Sequence, residues 1–327
     1  MFESIKFQNF KALRDTTLPL SRFTLIVGPN GSGKSTALNA FLALNNPSLI
    51  AETRSAGVSA SEPVKLTATW KPEEPGNASS LVTSQWNPQA GIHGAASYES
   101  SKVGAILNRT RIYSLDAMAI AAPVHLQPDI ELAHTGANLA GVLDRLRDQH
   151  PEQFDALNKQ LGRWIPEFDR ILFETPRAGF RSIALRTREG SHLIKASNLS
   201  QGTLIALALL TIAYLPEPPS IVCLEEPDHG LHPRLLRDVR DALYRLAYPE
   251  GSQEKREPVQ VIATTHNPYF LDLFREHPEE IVIAEKVGLE SKFSRLSNRE
   301  DLEEILGDAP LSEVWYSGVL GGVPVGT

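Results

Sequence analysis

Residues 28 to 36 read Gly28-Pro29-Asn30-Gly31-Ser32-Gly33-Lys34-Ser35-Thr36. This fits G-x-x-x-x-G-K-[ST], a spacing that constrains the fold more than any other stretch of the chain. Its glycines let successive backbone N–H groups curl around a polyphosphate. A lysine at that place neutralises charge on the β and γ groups, and the serine hydroxyl after it can ligate Mg²⁺. The pattern works only between a strand and a helix. Phe23-Thr24-Leu25-Ile26-Val27 reads as a buried strand, and Ser35 to Leu44 reads as a helix whose N-terminus favours an anion. Asn30, Gly31, Ser32, Gly33, Lys34, Ser35 and Thr36 are therefore candidate nucleotide-binding residues, with Ser35 a candidate Mg²⁺ ligand. The competing reading is a glycine-rich turn that happens to carry a lysine; the two flanks favour the nucleotide site.

Three later stretches bear on what such a site does. Ile221-Val222-Cys223-Leu224-Glu225-Glu226 is an apolar strand ending in two carboxylates. A strand tip beside a phosphate loop is where such enzymes hold a metal-directed carboxylate, here Glu225. The adjacent Glu226 is a candidate general base that poises a water for attack on a γ-phosphate. Asn198-Leu199-Ser200-Gln201-Gly202-Thr203 opens an apolar helix, with Ser200 as its N-cap and Gly202 permitting close backbone approach. His266, in Ala263-Thr264-Thr265-His266-Asn267-Pro268, follows another apolar strand and could donate a hydrogen bond to a phosphate oxygen.

Bulk properties narrow the class. The chain has 327 residues, 42% hydrophobic and 22% charged, as expected of one large globular domain or two small ones. No window approaches the roughly 18 consecutive apolar residues of a membrane span. The N-terminus has no basic segment followed by an apolar one, so no signal peptide is expected. With a single cysteine, Cys223, no internal disulfide can form, and a cytoplasmic location is the expectation. The net charge of −7 argues against coating nucleic acid with the whole surface. Two local basic sets remain: Arg177, Arg181, Arg186, Arg188 and Lys195, and the helical series Arg234, Arg237, Arg240, which reads as a solvated face.

Along the chain, Val64 to Trp70 alternates like a strand, and Thr110 to Leu115 looks like another. The polar stretch 71–108, rich in Pro, Gly, Ser and Asn, reads as a surface excursion or as partly disordered. Leu139, Val142, Leu143 and Leu146, then Phe154, Leu157, Leu161 and Trp164, mark a helical pair over about 137–165. Arg170 to Thr175, Ser182 to Thr187 and His192 to Ala196 suggest a β meander. From Ser200 onward the pattern alternates: a helix to Tyr214, a strand Ile221 to Leu224, a helix Pro233 to Ala247, a strand Val259 to Thr264. Such alternation implies a mostly parallel sheet.

Taken in order, the four motifs resemble the ABC-type ATPase superfamily: a Walker A loop at 28–36, the signature Leu199-Ser200-Gln201-Gly202, a Walker B strand at 221–226 and the switch histidine His266. Ile5-Lys6-Phe7-Gln8-Asn9-Phe10-Lys11-Ala12-Leu13 resembles the first strands of its RecF/SMC/OLD-like branch. Glu225-Glu226-Pro227 through Gly230-Leu231-His232-Pro233, and Thr265-His266-Asn267-Pro268, resemble runs of OLD-like ATPases. The resemblance implies an α/β P-loop NTPase fold: an ABC-ATPase-type core with a mostly parallel sheet, plus a β-rich lobe and a short helical insertion. It implies a single composite ATPase domain over 1–327, with its core at 1–45 and about 180–327 and an insertion at about 46–179.

The same resemblance implies ATP and Mg²⁺ as cofactors and hydrolysis of ATP to ADP and phosphate. Lys34, Glu226 and His266 would be catalytic, and Ser35 and Glu225 would attend the metal. Two copies would pack head to tail on ATP, with Ser200 and Gly202 of one touching the γ-phosphate held by the other's Lys34. OLD-type nucleases add a Toprim domain, and the stretch after His266 is too short for one. The expected protein is an ATPase subunit that controls a separately encoded effector such as a nuclease, in DNA repair or anti-phage defence, with DNA a further candidate partner and no membrane. Two alternatives are a transporter's nucleotide-binding subunit, disfavoured by the long separation of Lys34 from Ser200, and a nucleotide-gated scaffold with little turnover, disfavoured by the intact Lys34, Ser35, Glu226 and His266.

Overall fold

The computed structural model describes residues 1–46, 49, 54–59, 62–72, 80–86, 95–98, 101–252, 254–307 and 309–321. Among them the strands are β1 (Phe2–Phe10), β2 (Leu13–Pro19), β3 (Phe23–Val27), β4 (Val64–Trp70), β5 (Ser80–Trp86), β6 (Ala95–Tyr98), β7 (Thr110–Tyr113), β8 (Val124–His125), β9 (Phe168–Glu174), β10 (Phe180–Thr187), β11 (Leu193–Lys195), β12 (Ile221–Leu224), β13 (Gln260–Thr265), β14 (Ile281–Val287) and β15 (Glu290–Arg295). The helices are α1 (Lys34–Asn45), α2 (Ser101–Asn108), α3 (Ala117–Ala121), α4 (Leu139–Gln149), α5 (Pro151–Trp164), α6 (Gln201–Ala213), α7 (Pro233–Ala247), α8 (Pro268–Asp272), α9 (Leu302–Ile305) and α10 (Leu311–Tyr316). The chain divides into two compact units, one of Met1–Ile112, Pro219–Glu225 and Glu257–Thr327, the other of Tyr113–Pro218 and Glu226–Arg256.

The first unit holds two sheets. One has the strand order β15-β14-β3-β13-β12-β7. In it β14 pairs parallel with β3, β3 with β13 and β13 with β12, and β15 closes one edge antiparallel to β14. Every residue of β3, β12 and β13 is buried, as the apolar runs of a sheet covered on both faces require. The second sheet has the order β2-β1-β4-β5-β6, antiparallel at each pairing. Helix α1 packs against β4 and β5 of this sheet and against β13 of the other. It buries Leu38, Phe41 and Leu44 in the core that also takes Phe2, Phe7 and Leu66. Each such side chain contributes about 1.5–3 kcal/mol of burial free energy.

The stretch 71–108 departs from its expected loop-like character. Its described residues form β5, β6 and α2, while 73–79, 87–94 and 99–100 lie outside the described residues. Only Val82 and Ser84 of β5 are buried. Alternation is too weak there to read, and the strand is held by its full register with β4, from Val64 opposite Trp86 to Trp70 opposite Ser80.

The second unit is built on the meander. Strand β10 pairs antiparallel with β9, β11 and β8. Helices α4 and α5, the expected helical pair, pack on β10 and β9. The buried Asn158 joins α5 to β9: its Nδ2 donates to the Phe154 carbonyl at 3.0 Å and its Oδ1 accepts from Ile171 N–H at 2.7 Å. Helix α6 is buried from Thr203 to Ala213 and touches α3, α5 and α7. Among the described residues no helix is long and apolar enough to cross a membrane.

Candidate nucleotide site

In the first unit three adjacent parallel strands end together. Val27, at the end of β3, pairs with Thr265, and two residues earlier on β13 Ala263 pairs with Leu224, at the end of β12. The loop from Gly28, the half-buried Glu225 and the exposed His266 therefore leave the same end of one sheet. The C-terminal ends of parallel strands are where open α/β sheets bind their ligands.

The loop is shaped by its glycines. A Cβ on Gly28 would collide with the Ala284 carbonyl, and one on Gly33 would meet Leu13 at 2.9 Å and Ser291 at 3.1 Å. Gly31 and Gly33 have φ of 77° and 92°, the left-handed region that glycine adopts without cost. Lys34 is only 6% exposed. Its Nζ donates to the carbonyls of Gly28 at 2.8 Å and Pro29 at 2.9 Å, which holds the ammonium inside the loop. The N-cap of α1 is Gly33, which has no side chain to cap it, and the first N–H groups of a helix have no intrahelical acceptor. Ser32 Oγ is buried and has no hydrogen-bond partner among the described residues. An orphaned buried hydroxyl in this loop fits a phosphate oxygen as the missing partner. Asn30, Gly31 and Ser35 are exposed, and Thr36 is half-buried.

For a metal, the described residues gather no group of three or more His, Cys, Asp or Glu side chains. Ser35 and Glu225 offer one hydroxyl and one carboxylate instead. That sparse donor set fits Mg²⁺, which keeps several waters and takes its other ligands from substrate phosphates. Behind Glu225, Cys223 is fully buried and desolvation pushes its thiol far up, leaving it inert.

His266 sits on a short bridge between two fixed elements. Asn267 N–H donates to Thr265 Oγ1 at 2.9 Å, and Asn267 Oδ1 caps α8 by accepting from Tyr269 N–H at 3.0 Å. The Asn-Pro after the histidine is thus a helix start, with Pro268 at the first helical position.

Ser200, Gly202 and Glu226 belong to the second unit. Ser200 caps α6, its Oγ accepting from Thr203 N–H at 3.1 Å and lying 2.8 Å from Thr203 Oγ1. It is exposed, beside an open groove of about 720 Å³ lined also by Phe168, Ile194 and Leu199. Gly202 meets the segment after Glu226: a Cβ there would lie 2.7 Å from the Gly230 carbonyl oxygen. That segment is a tight turn in which His229 N–H donates to the Glu226 carbonyl at 2.9 Å. Glu226 has φ of 45°, a conformation that costs a non-glycine residue about 1–2 kcal/mol. The unit therefore brings Gly202 to the turn that Glu226 opens, a closeness no spacing rule conveys.

The basic cluster is engaged within its own unit. Arg181 pairs with the buried Asp144 at 3.0 Å, Arg186 forks onto Asp169 at 2.9 and 2.8 Å, and Lys195 pairs with Glu174 at 3.1 Å. Arg188 donates to the Pro166 and Gly162 carbonyls, and Arg177 lies 3.7 Å over the Phe180 ring. On α7, Arg240 pairs with Asp241 at 2.6 Å, and Arg234 and Arg237 are exposed.

The chain is similar to several known proteins. A family described as "AAA domain, putative AbiEii toxin, Type IV TA system" matches residues 23–272. An OLD nuclease of Thermus scotoductus is 26% identical over 332 aligned positions, covering 84% of this chain and 60% of the nuclease. The chain thus spans less than two thirds of the length of that curated relative. Among solved structures, an SMC head bound to the C-winged helix domain of ScpA aligns with TM-score 0.62 and 16% identity over 92% of this chain and 99% of that one. The SMC head domain from Thermotoga maritima aligns with TM-score 0.51 and 19% identity over 90% and 98%. At these identities the likeness shows the fold, that of an SMC-head-like P-loop ATPase.

Proposed function

We propose, since the chain belongs to this AAA-domain family, that it is an ATP-binding and ATP-hydrolysing module whose nucleotide-dependent self-association controls a separate effector. The observation that carries the reading is the shared strand end: the loop with its buried Lys34 and orphaned Ser32 hydroxyl after β3, His266 at the adjacent tip of β13 and Glu225 at the next tip, of β12. Both compact units are read as one composite ATPase.

In this reading Lys34 and the N–H groups of residues 30–36 hold the β and γ phosphates. Ser35 and Glu225, the latter through water, would hold Mg²⁺, which supplies charge neutralisation on the phosphates. Glu226 accepts the proton of the attacking water, and its strained backbone is consistent with a side chain held for that task rather than for folding. His266 donates to a γ-phosphate oxygen. Ser200 and Gly202 of a second copy complete the site, so that hydrolysis removes the contact joining the copies.

The effector is proposed to be a nuclease acting in DNA repair or anti-phage defence. Support comes from a relative named as a nuclease, from a family description that names a toxin, and from an SMC head solved with a bound partner. Native mass spectrometry on Glu226→Gln protein, purified from its host with ATP and Mg²⁺, tests the proposal. An ATP-dependent dimer carrying a second polypeptide is the expected result. A monomer indifferent to ATP, together with no turnover by the unaltered protein, would overturn it.

A further inference from the structure

We propose that Asp272 is a positioning residue for His266, locking the helix that follows the histidine to the C-terminal helix α10. The inference rests on the reading of His266 as a phosphate contact. Helix α8 has five residues, too few to hold its own geometry, so its direction is set by what it is tied to. One tie is apolar: Phe274, just past α8, lies 5.2 Å from Phe23 at the start of β3 and 5.4 Å from Phe270. The other is polar and reaches forty positions along the chain. Asp272 Oδ1 accepts from Ser312 N–H at 2.7 Å, and Oδ2 accepts from Ser312 Oγ at 2.6 Å. Both carboxylate oxygens are thereby committed to the first turn of α10, a helix with no cap of its own from its preceding residue.

The bond is partly buried and Ser312 is only 8% exposed, so water competes for it poorly and the carboxylate acts as a hinge pin. Arg275 adds a second strap, donating to the carbonyls of Leu306 and Gly307. His266 itself is exposed and stands between the end of β13 and the Asn267 cap of α8. Freeing α8 from α10 would let the cap, and the histidine before it, swing. Helix α10 would thereby set the direction of the segment that carries His266.

The test is ATP turnover by Asp272→Ala in the unaltered chain and in a His266→Ala background. In the unaltered chain kcat should fall by on the order of 10- to 100-fold with KM for ATP little changed, as for a misplaced catalytic group. In the His266→Ala background the same change should add almost nothing, because both act through one side chain. Ser312→Ala, which keeps the backbone donor, should give a smaller loss of the same kind and serves if Asp272→Ala does not fold. Equal fold-losses in the two backgrounds, or a lowered melting temperature with kcat unchanged, would overturn the positioning role alone. Turnover unaffected by His266→Ala would overturn both this role and the reading it rests on.

Discussion

Gln260, the first residue of β13, holds both backbone groups of Phe2 on β1: Phe2 N–H donates to Gln260 Oε1 at 2.9 Å, and Gln260 Nε2 donates back to the Phe2 carbonyl at 2.7 Å and to that of Ser21 at 3.0 Å. The side chain is 5% exposed, so these groups have little water to turn to. It joins the start of the antiparallel sheet to the strand that His266 follows. Gln260→Leu keeps the volume and removes every bond. Each stranded polar group costs about 1–3 kcal/mol, and the melting temperature should drop accordingly, by several degrees or more. A variant melting with the unaltered protein would show that the pairing does not hold the two sheets together.

Glu226 is expected to trade stability for turnover. Glycine adopts φ near 45° freely, so Glu226→Gly should relieve about 1 kcal/mol of backbone strain. Denaturant unfolding should show this variant as no less stable than the parent, while single-turnover hydrolysis falls by about 10²- to 10⁴-fold, as expected on losing a general base. Glu226→Gln keeps the strain, and should lose hydrolysis equally while still binding ATP. Hydrolysis at the parental rate by either variant would remove Glu226 from the mechanism.

Gly202→Ala places a methyl against the Gly230 carbonyl at 2.7 Å, backbone against backbone, with no flexible side chain to yield. Overpacking of this kind costs about 1–3 kcal/mol. ATP affinity, which the proposed function assigns to Lys34 and its loop, should survive while turnover declines. Lys34→Ala should show the reverse order of effects, losing nucleotide binding first. Equilibrium binding of a fluorescent ATP analogue separates the two; loss of affinity in Gly202→Ala would contradict the separation.

Acid should weaken the loop after α7. Burial raises the Glu254 carboxyl, but hydrogen bonds from Arg256 and then Arg245 outweigh this and hold it below the ordinary glutamate range. A carboxylate depressed in the folded state stabilises fully above its unfolded pKa, and that contribution is lost as pH falls through the lowered folded value. Between about pH 7 and 5 Glu254→Gln should therefore be less stable than the parent, and the two should converge only as pH falls below the ordinary glutamate range, through the lowered folded value. Parallel melting curves across that whole range would argue that the pair contributes nothing.

Sequence patterns were strongest where structure is local. Helix α7 runs from Pro233 to Ala247 as read, because a proline at the first helical position and an apolar stripe mark it without help from the rest of the chain. Strands β4 and β12 likewise keep their expected bounds. Strands β14 and β15 went unread, although Ile281-Val282-Ile283-Ala284 is an apolar run that could have signalled the first. Their importance is tertiary: Ala284 and Ser291 are the walls against which Gly28 and Gly33 close.

From its sequence alone the chain determines a P-loop, its flanking strand and helix, and the order of the motifs, since each depends on residues within a few positions of one another. Folding decides the rest. Only the parallel register sets Glu225 and His266 on neighbouring strand tips, and only packing gives Gly202 its neighbour at Gly230 and Asp272 its partner at Ser312. Those contacts join residues tens of positions apart. Their free energy appears only once the loop-closure entropy has been overcome by the whole core, so no local pattern carries them.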